Sequence, residues 1–195
     1  MTLTVSYNSK EVEQYLKKLP ETSFEKAKKV FATSVLAANR EVKSNATTKL
    51  NVRTGALRRS IGQSVKGMNL DELRASIFSG SSGGKPVVYA PIHEFGGTVT
   101  AKKAYTNVPG GPYLNIPIAD NLTPAGVMRM TAGMVFNQGG YLFKSKSGKW
   151  FVAMNDKLMF VLVKEVTIKP QLGMRDAAEK QVPIILTELK KIIGE

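Results

Sequence analysis

From Phe24 to Leu50 the apolar residues return every three or four positions: Phe24, Ala27, Phe31, Val35, Ala38, Val42, Ala46 and Leu50. That spacing keeps one face of an α-helix apolar for 27 residues, about 40 Å at ~1.5 Å per residue. A helix of this length needs a broad partner surface, so the rest of the chain must supply a sheet or further helices for it to lie on. Its start is marked by Ser23 as an N-cap, with Glu25 near the positive end of the helix dipole. The other face carries Lys26, Lys28, Lys29, Arg40, Lys43 and Lys49 and reads as solvated.

Around this helix the period changes. Leu3, Val5 and Tyr7 alternate as in a short strand, and Val12, Tyr15, Leu16 and Leu19 mark a short helix that stops before Pro20. In Asn51–Ile61, Thr54 caps a short helical turn and Gly55 relieves crowding. Ile61, Gln63 and Val65, then Leu73, Ala75 and Ile77, predict a β-hairpin turning within Gly67–Asp71, and Gly80–Gly84 reads as a flexible loop. From Thr98 to Gln138 no period persists. A second hairpin is expected from Tyr141–Phe143 and Trp150–Ala153, and one strand from Met159 to Lys169. A C-terminal helix, Met174–Ile193, presents Ala177, Ala178, Gln181, Ile184, Ile185, Leu189 and Ile192, with Pro183 kinking or breaking it. The expected fold is α+β: a mostly antiparallel sheet packed by the long helix and the C-terminal helix. It forms a single domain over 1–195 with a loop-rich insertion at 98–155.

Composition removes several kinds of chemistry. With no cysteine and only His93 as histidine, disulfides, thiolate clusters and two-histidine zinc motifs are excluded within one chain, and no metal or other cofactor is expected. No signal layout or membrane-length apolar run is visible, so the chain reads as soluble and intracellular where it is made, with no membrane partner. Gly80–Lys85 lacks the earlier glycine and the hydroxyl residue of a phosphate loop, having Ser79 and Pro86 there. His93 and Glu94 are neighbours, but adjacent residues diverge on strands and helices alike, and no third group completes a catalytic set. An enzyme is therefore not expected.

The charge is informative. Lysine and arginine number 28 against 15 acidic residues, a net +13, which raises nucleic-acid binding through the phosphate backbone. Arg40, Lys43, Lys49, Arg53, Arg58, Arg59 and Lys66 concentrate basic charge against the single acid Glu41. No sequence-reading motif accompanies them, and the aromatics of the chain do not interleave with its basic residues as a stacking platform would.

Two segments in order, Arg53-Thr-Gly-Ala-Leu-Arg-Arg-Ser-Ile61 after the long helix and Tyr89-Ala-Pro-Ile-His-Glu-Phe-Gly-Gly97 after the hairpin, resemble the tail-completion and head–tail joining proteins of long-tailed bacteriophages. That family carries a TG-x-L-x-x-S segment and a Y-A-x-x-x-E-F-G segment in this order. Tyr113–Ala119, Ala125-Gly126 with Arg129, and Val161–Pro170 resemble its longer members. The chain departs in having Gly96-Gly97-Thr98 where Gly-Thr is usual, and Lys169-Pro170 where Arg-Pro is usual.

The resemblance implies a structural virion protein, assembled in the host cytoplasm, that completes the tail or joins it to the head as a ring-forming oligomer. Its partners would be itself and other head–tail or tail-tube proteins, with non-specific contact to passing DNA. Thr54, Gly55, Leu57, Ser60, Tyr89, Glu94, Phe95 and Gly96 would be fold or interface positions. Glu94 would make either an intersubunit ion pair with Arg58 or Arg59, or an intrachain bond to backbone donors. The basic residues from Arg40 to Lys66 would face DNA or an acidic partner. The competing readings are a basic non-specific nucleic-acid-binding protein and a small hydrolase centred on His93 and Glu94.

Overall fold

The computed structural model of the chain describes residues 3–6, 10–50, 55–102, 108, 110–124 and 126–194. In chain order the elements are β1 (Leu3–Ser6), α1 (Lys10–Lys18), a 3-10 turn (Glu21–Ser23), α2 (Phe24–Thr48), α3 (Ala56–Ser60), β2 (Ile61–Lys66), β3 (Arg74–Ser79), β4 (Ser81–Ser82), β5 (Lys85–Pro86), α4 (Ala90–Phe95), β6 (Gly97–Thr100), β7 (Leu114–Pro117), a 3-10 turn (Ala119–Asn121), α5 (Ala132–Asn137), β8 (Tyr141–Lys144), β9 (Trp150–Met154), β10 (Lys157–Val163), β11 (Glu165–Ile168), α6 (Met174–Glu179) and α7 (Val182–Ile193). The class is α+β, and every strand pairing among the described residues is antiparallel.

The chain divides into two compact units. One holds the described residues up to Leu50, those from Gly55 to Phe95 and those from Pro170 on; the other runs from Gly96 to Lys169. The inserted lobe is therefore larger than the 98–155 outlined in sequence, because β10 and β11 find their hydrogen-bond partners inside it.

In the first unit a sheet ordered β1-β3-β2 presents one face to α2. Ile61 pairs with Ser79, Gln63 with Ile77 and Val65 with Ala75, so the odd-numbered residues share a face. The predicted stripe of α2 meets that face: Ala27, Phe31, Val35, Ala38, Val42 and Ala46 are all buried. Its C-terminal half packs with Leu57, Ile61, Ile77 and Leu172, and its N-terminal half with Leu16, Leu70, Leu73 and Leu189. Each large apolar side chain so buried contributes roughly 1.5–3 kcal/mol before the cost of ordering it.

Local expectations for Ser23, Ile184 and Gly80–Gly84 are corrected here, and the break expected at Pro183 is present. Ser23 occupies the N-cap position of α2 but makes no side-chain cap bond; the 3-10 turn runs straight into the helix, and the Ser23 N–H donates instead to Pro20 O at 2.8 Å. The C-terminal helix is interrupted at Lys180-Gln181, where Pro183 opens α7 and its missing N–H costs nothing. That break rotates Ile184, expected on the buried stripe, into solvent. Gly80–Gly84 is not a free loop, since β4 and β5 form a tight hairpin across Gly83-Gly84.

In the second unit β7-β10-β9-β8 form a four-stranded sheet, and β11 pairs with β6 separately. The strand expected over Met159–Lys169 is thus two strands in two sheets, turning at Lys164. Val152, Phe160 and Leu162 pack with Ala132 and Val135 of α5 as the core. Thr131 caps α5 by accepting from the Met134 N–H at 3.3 Å. Asn121, fully buried, donates to Met130 O and accepts from Met130 N–H, both at 2.9 Å, which fixes the connection into α5.

Candidate functional site

The first motif segment forms α3 and its entry. Thr54 and Arg53 lie outside the described residues, as do Tyr7 and Ala125, and the capping expected of Thr54 lies outside them too. Gly55 stands at the N-cap with φ +67°, a left-handed conformation that explains glycine at this position. Leu57 is buried in the core with Val42, Ile61 and Ile77. The Ser60 hydroxyl donates to Leu57 O at 2.7 Å and lies 2.7 Å from the Ser79 hydroxyl, which must donate to it because Ser60 has a single proton. Both serines are buried, so this pair ties α3 to β3 where a lone hydroxyl would be costly.

The second motif segment forms α4. Ala90 is fully buried in the same core, and Glu94 is buried beside it. The Glu94 carboxylate accepts the Met174 N–H at 2.7 Å and the Arg175 N–H at 2.9 Å. These are the first two N–H groups of α6, which have no partner within their own helix. The His93 carbonyl accepts from Gln171 N–H and Leu172 N–H at 2.8 and 2.9 Å, and Asn45 Nδ2 donates to Leu172 O at 3.0 Å. Two consecutive residues of α4 therefore hold the chain entering α6, 80 residues away in sequence.

Of the two partners expected for Glu94, the backbone one is present. Each carboxylate oxygen already accepts a bond, Arg59 Nε turns to Ser82 Oγ at 3.3 Å, and Arg58 is exposed. The arrangement also separates Glu94 from His93. The His93 ring meets Tyr89 edge-on at 5.8 Å, and its Nδ1 is buried without a partner among the described residues. Burial lowers the His93 pKa below its ordinary 6.5.

The remaining motif residues face outward. Tyr89 is 41% exposed, Phe95 65%, and the adjoining Val88 69%. Gly96 has φ +71° and turns the chain after α4. The family-motif positions thus separate into buried ones, Leu57, Ser60 and Glu94, and an exposed apolar group on and beside α4.

Lys66 is set apart from the other basic residues. Arg40, Lys49, Arg58, Arg59 and Lys66 are exposed and Lys43 is half-buried. Arg58 and Arg59 precede β2, whose start packs with the C-terminal half of α2; Lys66 ends β2 opposite Arg74, about 17 Å along the strand at ~3.4 Å per residue. Glu41, the one acid of this stretch, is bonded to Lys180 at 2.5 Å, and that hydrogen bond raises the lysine pKa.

A feature missed in sequence lies on β8 and β9. Tyr141, Phe143 and Phe151 share a sheet face, with ring centroids 6.3 Å apart for the first pair and 5.5 Å for the second. The run Tyr141-Leu-Phe-Lys-Ser-Lys-Ser-Gly-Lys-Trp-Phe151 does interleave aromatic and basic residues, and that was the signal available. Among the described residues no group of three or more His, Asp or Glu side chains is placed to hold a metal ion. No described helix is long and apolar enough to cross a membrane. Compared with family models, with curated proteins and with solved structures, the chain matches none.

Proposed function

We propose that the chain is a structural virion protein of a long-tailed bacteriophage, completing the tail or joining it to the head as a subunit of a homo-oligomeric ring. The sequence resemblance motivates this reading. The observation that carries it is the division of the motif residues. Leu57, Ser60 and Glu94 lock α3, α4 and α6 into one frame, while Val88, Tyr89 and Phe95 stand out from it. Aromatic side chains held outward on a fixed helix suit a subunit contact, because little rotamer freedom is lost when they are covered. A heterologous contact of this kind closes into a ring when its rotation allows.

Light scattering during size exclusion, followed by negative-stain imaging, tests the proposal. Rings that Tyr89→Ser or Phe95→Ser dissociates, with folding unchanged, are the expected result. Wild-type particles that ignore both substitutions would remove α4 from the interface.

The alternative is a basic protein that binds nucleic acid non-specifically. Its support is the exposed Arg40, Lys49, Arg58 and Arg59, none of which forms an ion pair among the described residues. Under that reading a monomer would bind duplex DNA with a steep salt dependence, and charge reversal at Arg58 and Arg59 would flatten it.

A further inference from the structure

The four-stranded sheet of the second unit has two apolar faces. Across the strands Leu142, Val152, Phe160 and Pro117 align, and so do Lys144, Trp150, Leu162 and Asn115. This is the face that builds the core with α5. The intervening residues point the other way: Phe143, Phe151, Val161 and Ile116 in one row, Tyr141, Ala153 and Leu158 in the next. Strands that read as continuous apolar runs are those whose two faces are both meant to be covered. Tyr141 and Leu158 are nevertheless exposed, and Phe143 and Phe151 are half-buried.

The surroundings of this second face are cationic. Its hairpin tip is a defined turn, with Ser145 N–H donating to Lys149 O at 2.8 Å and Lys149 N–H donating to Ser145 Oγ at 3.2 Å. That turn displays Lys146 and Lys149 in solvent. Neither lysine forms an ion pair among the described residues. From Gly96 to Lys169 there are nine basic residues and three acidic ones.

We propose that this face of the β8–β9 hairpin binds single-stranded nucleic acid, with Tyr141, Phe143 and Phe151 stacking on bases and Lys146 and Lys149 holding phosphates. Phe143 and Phe151 stack on one another, 5.5 Å apart and within 17° of parallel, so each keeps its outer ring face for a base, and Lys146 and Lys149 stand at the turn beyond them. This is the combination by which sheet surfaces take up unpaired strands without reading sequence. In a duplex the bases are stacked on one another and only phosphates are offered, so the rings would contribute nothing. A second copy of this chain is a poor occupant, since it would bring like-charged rims together. The site is separate from α4 and does not rest on ring assembly.

The test uses the full chain and a fluorescein-labelled oligothymidylate of about 12 nucleotides. The single strand should bind more tightly than a duplex of the same length. Phe143→Leu and Phe151→Leu, which keep apolar packing but lose the ring face, should each weaken single-strand binding about tenfold while leaving duplex binding and melting temperature unchanged. Lys146→Ala with Lys149→Ala should reduce the slope of log affinity against log salt by about 1.4. Phe95→Ser should bind the oligonucleotide as wild type does, which separates failure here from failure of the ring reading. Equal or tighter duplex binding that the leucine variants do not alter would overturn the proposal. So would absence of oligothymidylate binding together with loss of self-association or virion incorporation in those variants, which would assign the face to a protein partner.

Discussion

In the first unit the one sheet face that is strongly apolar meets α2, and three groups drawn inside are paired across elements, Ser60 with Ser79, Asn45 with Leu172 O and Glu94 with two N–H groups of α6, while Asn39 Nδ2 and His93 Nδ1 are buried without a partner among the described residues. In the second unit the sheet is apolar on both faces, α5 packs on one of them, and Lys146 and Lys149 stand at the hairpin turn beside the other. The first is organised to hold elements distant in sequence in a fixed relation. The second keeps surface that further contact would cover. The chain therefore combines a closed frame with an open sheet, and substitutions should behave differently in each.

The largest contrast is between the two faces of one sheet. Phe160→Ala empties a fully buried site and should cost about 4 kcal/mol. Phe143→Ala, on the second face, should cost less than about 1 kcal/mol. Urea unfolding of both variants checks this, and equal losses would mean that the second face is already closed. Next is Glu94→Ala, which leaves the Met174 and Arg175 N–H groups unpaired and should cost about 3 kcal/mol; Glu94→Gln, retaining one acceptor, should lose about half as much. Hydrogen exchange should show faster exchange at Met174 and Arg175 in both. Ser60→Ala, which strands the Ser79 hydroxyl, should cost about 1.5 kcal/mol, and adding Ser79→Ala should recover part of that loss.

The smallest effects are those of pH. Burial lowers the His93 pKa in the folded chain, so the unfolded chain binds the extra proton first. Stability should fall as pH drops below about 6.5, the unfolded value, until the folded pKa is passed, and His93→Phe should abolish that dependence. Lys180 behaves in the opposite sense. Its pKa is raised by the bond to Glu41, so its stabilisation is complete below the ordinary 10.5 and disappears as pH rises through the folded value.

The α2 stripe and the β2–β3 hairpin were legible because each buries one face, and burial on one face leaves a period in the sequence; the β8–β9 hairpin was legible from two apolar runs on either side of the Lys144–Gly148 turn. The partner of Glu94 was not, since nothing local marks a carboxylate that meets a helix end 80 residues on. The break at Lys164 was hidden in a run of β-branched residues that suits either one strand or two. Ile184 was misassigned because the stripe was drawn through Pro183 as one continuous helix. The second face of β8 and β9 was overlooked for a related reason: Tyr141-Leu-Phe143 and Trp150-Phe-Val-Ala153 are apolar at consecutive positions, so they show no alternation to mark which side is open.

The assembly claim is tested most directly by the mass of the folded chain in solution across a range of concentrations, wild type beside Phe95→Ser. The account predicts wild-type particles several times the 21.2 kDa of one chain, and a variant that unfolds at the same temperature but returns to the single-chain mass. Wild-type protein that stays at the single-chain mass throughout, or assemblies that Phe95→Ser leaves intact, would contradict it.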